Sequence, residues 1–190
     1  HRPRFLCPPG VLKAFDGLLM ALCAWPSVRR LRAQGHADVI DSHFAYPDGY
    51  AATLVARWLG LPSTITLRGT EVRHAQDPAL RRRVVAALNR ASHVFCVSDS
   101  LRRLALELGV PDAKLTVVGN GVDSARFKPL DRQQARARFG LSVDAKVLVT
   151  VGGIVERKGF HRVVDCLPDL IQRFGDVQYL IVGSGGAEGD

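Results

Sequence analysis

The run from Lys146 to Val151 constrains the fold more than any other stretch, because it is apolar, β-branched and unbroken and ends in the pair Gly152-Gly153. Such a run, with no polar alternation, is expected to form a strand buried on both faces of a parallel sheet. The glycines let the backbone come close to a ligand or another segment. Arg157, Lys158 and Gly159 then lead into an amphipathic segment that begins at Phe160. A cation and the free N–H groups of a helix start are thereby expected where strand gives way to helix, an arrangement that suits phosphate. A solvated lysine is the plain alternative, since the same elements recur across α/β proteins.

The rest of the chain alternates in the same way. Leu12, Phe15, Leu19 and Leu22 recur at helical spacing, so residues 11–35 are expected as one helix, bent at Pro26 and ended by Gly35. Further helices are expected over 49–59, after the Asp77-Pro78 cap, after Ser98, over 131–139 and over 160–174, the last bent at Pro168. Strands are expected at 38–42, 63–67, 94–97, 115–118, 146–151 and 179–182. The fold class that follows is α/β, with doubly wound parallel sheets and ligands beyond the carboxyl ends of the strands. Between 124 and 130 the periodicity lapses, and the domains are expected to be 1–126 and 127–190.

In that architecture His43, Arg68, Ser98, Asn120 and the segment 152–158 all fall at the same kind of place, the turn just after a strand. Each has a plainer reading. Arg68 has Glu71 and Asp48 as candidate salt-bridge partners, and His43 has Asp41 and Asp48. Asn120 and Gly121 suit a turn that also borders a cleft. Ser98 is a helix cap, since no G-x-S-x-G context surrounds it.

Composition bounds the function. A chain of 190 residues with 47% hydrophobic content can bury a core, yet it is long for one domain and short for two complete ones. It starts at His1 without a signal-type pattern and stops after a glycine-rich run, and it reads as a fragment at both ends. Cys7, Cys23, Cys96 and Cys166 lack C-x-x-C spacing, which points to buried thiols in a reducing cytoplasm and to no metal site. The apolar region 11–28 is broken by Lys13, Asp16 and Pro26 and is too short between charges to span a bilayer.

The net charge of +8 is concentrated around Arg29 to Arg32, Arg81 to Arg83, Arg102-Arg103 and Arg132 to Arg138. Solvated helix faces account for each cluster alone. Together they suit anionic partners such as nucleotide phosphates, acidic lipid or nucleic acid. A nucleic-acid module would need stacking aromatics or a reading helix beside its arginines, and the sequence offers neither.

The segments Asp38 to His43 with Pro47-Asp48-Gly49, Thr66 to Glu71, Val97-Ser98, Asn120 to Asp123 with Phe127 and Pro129, and Val151 to Gly159 occur in an order that resembles retaining GT-B-fold glycosyltransferases of the family 4-like group. The resemblance runs from about residue 38 onward. It implies two Rossmann-like domains, the second truncated here: an amino-terminal one that mainly holds the acceptor and a carboxyl-terminal one that mainly holds a nucleotide sugar. The implied reaction moves a sugar from a nucleoside-diphosphate donor to a saccharide or lipid-linked acceptor, with no cofactor and no obligatory metal, in polysaccharide or glycolipid biosynthesis. A cytoplasmic protein is implied, peripheral to the inner face of the membrane.

On this resemblance Lys158, with Gly152, Gly153 and Arg157, contacts the donor diphosphate. Gly153 stands where the family often has an arginine, and Arg68 where many relatives have a histidine that touches the donor sugar. His43, Arg68, Asn120 and Gly121 are the cleft candidates. The family's glutamate pair is absent and is expected beyond Asp190, so this chain alone is expected to be inactive. An epimerase or non-catalytic nucleotide-sugar binder of the same fold stays open as the alternative.

Overall fold

The computed structural model of the protein describes residues 13–185. Cys7, Val11, Leu12 and the glycine-rich end after Gly185 therefore lie outside the described residues. The chain separates into two compact units, residues 1–121 and 122–190.

In unit 1, α1 (Asp16–Ala33) leads to β1 (Ile40–His43), then α2 (Tyr50–Leu59) and β2 (Ser63–Leu67). The short α3 (Glu71–His74) and α4 (Pro78–Arg90) precede β3 (His93–Cys96), and α5 (Asp99–Glu107) precedes β4 (Leu115–Val117). The four strands form one sheet in the order β1-β2-β3-β4, parallel throughout, with Ser42 opposite Ile65 and Ile65 opposite Val94.

Period-2 alternation assigns the two faces of this sheet. Ile65, Leu67, Val94 and Cys96 are buried in one cluster with Val84, Ala87 and Leu88 of α4, Ala91 just after it, and Leu101 and Ala105 of α5. Ala21 of α1 packs on Ala51 and Val55 of α2 as a second cluster that also takes in Ile40. The opposite face carries polar pairs, including Asp41 with Thr64 at 2.5 Å and His93 with Thr116 at 2.8 Å.

The helix starts follow from their caps. Asp77 accepts from the N–H groups of Ala79 and Leu80 at 2.8 and 3.2 Å, and Pro78 fills the first helical position of α4. Asp77→Ala is expected to cost about 1 kcal/mol of stability. Urea denaturation followed by far-UV circular dichroism checks this, and an unchanged midpoint would remove the cap from the account. Ser98 caps α5 through Leu101 N–H at 3.4 Å, consistent with its reading as a cap.

In unit 2, α6 (Arg132–Arg138) is capped by Asp131, and β5 (Lys146–Val151) pairs in parallel with β6 (Val177–Val182), the two joined by α7 (Phe160–Phe174). Val94 and Val147 thus belong to different sheets. The loops after β5 and β6 close on each other, with Gly152 N–H donating to the Val182 carbonyl at 2.9 Å. A Cβ at Gly183 would lie 1.9 Å from the Gly152 carbonyl oxygen, so only glycine permits this approach.

Three expectations need correction. β5 is not buried on both faces: Val149 is 57% and Val151 74% exposed, because among the described residues only β6 flanks it in the sheet and α7 is the one helix of that unit packed on its strands. Cys23 and Cys166 are exposed, and only Cys96 of the described cysteines is buried, since Cys23 and Cys166 fall on outward sides of α1 and α7. Arg136 is not solvated: it is 8% exposed and donates to the carbonyls of Ser142, Val143 and Ala145 at 2.5, 2.9 and 2.9 Å. Its fork ties α6 to the segment entering β5.

Candidate functional site

The turns after the strands of unit 1 are built around a buried carboxylate. Glu71, 1% exposed, accepts from Ala45 N–H at 2.9 Å through Oε1 and from Gly69 N–H at 2.8 Å through Oε2. One side chain thereby fixes both the turn after β1 and the turn after β2.

The turn after β1 is held in an unusual shape. Phe44 has φ 69°, a value that bulky residues avoid. It is over-determined from three sides: its N–H donates to the Thr66 carbonyl at 2.9 Å, its carbonyl accepts from Gly49 N–H at 3.0 Å, and Ala45 is held by Glu71. Gly49 is required there, since a Cβ would meet the Phe44 carbonyl oxygen at 2.7 Å and Ile65 Cδ1 at 2.9 Å. Asp48 in the same turn makes no ion pair among the described residues, and burial pushes its carboxyl above the ordinary value.

These turns bring the sequence candidates together. Arg68 donates from Nε to His43 Nδ1 at 2.9 Å and from a terminal nitrogen to Asn120 Oδ1 at 3.2 Å. His43, Arg68, Asn120 and Gly121 line one cavity of about 610 Å³, together with Asp41, Thr64, Thr66 and Phe95. Arg68 reaches neither Glu71 nor Asp48, so both candidate salt bridges give way to these hydrogen bonds.

The geometry also sets the chemistry. Since Nδ1 of His43 accepts, its ring proton sits on Nε2, which lies 3.9 Å from Asp41 Oδ2. The second terminal nitrogen of Arg68 has no partner among the described residues, leaving an oriented, permanently charged donor pair for an oxyanion or a carboxylate.

Sequence reasoning missed a second cavity of unit 1. It has a volume of about 810 Å³ and is lined by Asp16, Tyr46, Arg73, His74 and Asp77 among others. The Tyr46 hydroxyl donates to the Lys13 carbonyl and accepts from Gly17 N–H at 3.3 Å, and burial raises its pKa. Its residues come from the start of α1, the turn after β1, α3 and the cap of α4, and share no spacing that a sequence could display.

In unit 2, Glu156–Lys158 form one 3-10 turn, Gly159 follows with φ 72°, and α7 begins at Phe160 without a side-chain cap. Lys158 and Arg157 are exposed, and their side chains make no hydrogen bond or ion pair among the described residues. Gly152 and Gly153 lie between β5 and this turn. No cluster of His, Cys, Asp or Glu suited to a metal occurs among the described residues.

Residues 4–126, most of the chain, match the sequence profile of Glycosyltransferase Family 4. The chain belongs to that family. A Bacillus subtilis (strain 168) protein named for teichuronic acid biosynthesis, the glycosyltransferase TuaC, is 29% identical over 173 residues, which cover 90% of this chain and 44% of TuaC. Among solved structures, sucrose-phosphate synthase from Thermosynechococcus elongatus superposes with a TM-score of 0.70 at 18% identity, covering all of this chain and 47% of that one. Anabaena HepE in complex with UDP gives 0.68 at 19% identity, covering 84% and 43%. These likenesses show the GT-B-type fold of this family 4 chain. The chain spans less than half the length of each of these proteins.

Proposed function

We propose that the whole protein transfers a sugar, with retention at the anomeric carbon, from a nucleoside-diphosphate donor to a saccharide acceptor, free or carried on lipid, in polysaccharide or glycolipid assembly. The reading rests on one observation within a family 4 chain: three separate strand ends deliver His43, Arg68 and Asn120 to one cavity, with Arg68 bonded to both neighbours and still able to donate. That cavity takes the acceptor side of the reaction, Arg68 holding a phosphate or carboxylate oxygen. Lys158, with Arg157, Gly152 and Gly153, takes the donor diphosphate, whose departure places negative charge where an unpaired cation stabilises it. HepE, whose structure holds UDP, supports this donor class. The protein works in the cytoplasm, at the inner face of the membrane.

Release of nucleoside diphosphate from a panel of nucleotide sugars, with and without saccharide acceptors, tests the reading, and the coupling constant of the product's anomeric proton tests retention. Isomerisation of a donor without acceptor would replace transfer by epimerisation. Within this scheme Arg68→Ala is expected to raise the KM of one substrate roughly fivefold, the equivalent of about 1 kcal/mol. Arg68→Lys should restore only part of it, because an ammonium cannot span His43 and Asn120 as a fork does. Unchanged KM values for donor and acceptor would remove Arg68 from the site.

A further inference from the structure

The cavity that holds His43, Arg68 and Asn120 lies over the polar face of the four-stranded sheet, and that face is laid out in rows. His43, Thr66 and Phe95 stand opposite one another on β1, β2 and β3, and all three line the cavity. Neighbouring strands lie about 4.8 Å apart, so the row spans roughly 10 Å, room for one sugar ring. Phe95 offers an apolar side chain there, and the Thr66 hydroxyl beside it makes no hydrogen bond among the described residues. Arg68 follows Thr66 by two residues and lines the same cavity, on the carboxyl-end side of the row.

The charges around this row are few. Arg68 and Asp41 are the charged side chains that line the cavity, and His43 is neutral, its Nδ1 accepting from Arg68. Asp41 stands opposite Thr64, one row further from the carboxyl ends of the strands, and its Oδ1 accepts from the Thr64 hydroxyl. The buried Glu71 is a second carboxylate near Arg68, and it already takes the Gly69 N–H that an anion would otherwise use. A phosphate ester carries about −1.5 to −2 charges at pH 7. Beside one guanidinium and two carboxylates, its second charge would find no partner among the described residues. A carboxylate carries a single charge and is planar, as the guanidinium is.

We infer that the group Arg68 holds is a carboxylate, so that the sugar occupying this cavity is a uronic acid, its ring over Phe95 and Thr66 and its acid group on the free donors of Arg68. The inference rests on the acceptor reading of this cavity and narrows the acceptor to acidic saccharides. A site built around a charged donor discriminates against a neutral sugar, because that sugar leaves the donor unpaired. His43 is a positioning residue in this scheme. By accepting from Nε it fixes which edge of the guanidinium remains for the ligand.

Ligand-observed NMR titration of the chain with methyl glycosides tests it. The probes are the glucuronate, galacturonate and mannuronate, each beside its own C6 carboxamide and the 6-phosphate of the parent hexoside. One uronate should bind at least about fivefold more tightly than its amide and than its 6-phosphate, and added salt should narrow the gap. Arg68→Gln, with circular dichroism unchanged, should bring the ratio of acid to amide below about twofold. Lack of preference for the acid in all three series, absence of binding included, overturns the inference. Tighter binding of a 6-phosphate overturns it too and assigns Arg68 to a phosphate. A wild-type ratio in folded Arg68→Gln overturns it by placing the acid group elsewhere. Because the titration needs no donor, its failure leaves sugar transfer by the whole protein standing. Uronate preference without transfer to any saccharide would instead sink the transfer reading and leave the preference of the cavity standing.

Discussion

Glu71→Ala is expected to remove about 3–5 kcal/mol from the stability of unit 1, a large part of the 5–15 kcal/mol that a domain typically has. The carboxylate is almost wholly buried and accepts two backbone N–H groups, one of them from the fully buried Ala45. Each bond to a charged acceptor contributes about 1.5–3 kcal/mol, and truncation leaves both donors without a partner. Glu71→Gln keeps one acceptor oxygen but turns an NH₂ toward the other donor, and should cost roughly half as much. Urea unfolding followed by tryptophan fluorescence isolates the effect, because both tryptophans, Trp25 and Trp58, lie in unit 1. Midpoints corresponding to losses under about 1 kcal/mol for both variants would show that the two turns hold themselves without Glu71.

Lys158→Ala is expected to lower donor kcat/KM of the whole protein by at least tenfold. An exposed ammonium with no partner among the described residues, in the turn before the uncapped start of α7, has a charge-assisted contact to lose, worth about 1.5–3 kcal/mol. Stability should hold, since the side chain supports nothing else. Donor kinetics beside a thermal melt separate the two. Efficiency within twofold of wild type would leave Lys158 as a surface residue, and Arg157 would then be the cation to replace.

The sequence displayed what depends on local chemistry. Asp77 and Ser98 cap helices because a short oxygen-bearing side chain before a helical pattern has few other uses. The strand Ser63–Leu67 stood out by its composition and its bounding turns, and His43, Arg68 and Asn120 by position alone: a residue at or just past the carboxyl end of a parallel strand faces the ligand edge of the sheet.

What stayed hidden depends on distance or on neighbours. Glu71 serves a backbone N–H 26 residues away, and a backbone partner leaves no complementary side chain to notice. Arg136 was indistinguishable from the other arginines of its run because its acceptors are carbonyls, which every residue has. The exposure of Val149 and Val151 could not be read from an apolar run, since such a run states what a strand needs and not what lies beside it.

The pairing of β5 with β6 alone has one more consequence. Among the described residues this sheet has no interior strand, so each of its members keeps one rim whose N–H and C=O groups pair with no other strand of these residues. Here those rims border Val149, Val151, Ile181 and Val182, which are all exposed, and no lysine or proline interrupts β5 from Val147 to Val151 or β6 from Val177 to Val182. Natural sheets blunt such margins with charge, bulges or a covering element, because a bare apolar margin templates the addition of further strands. The rims of β5 and β6 are therefore where a further strand can add to the sheet of unit 2.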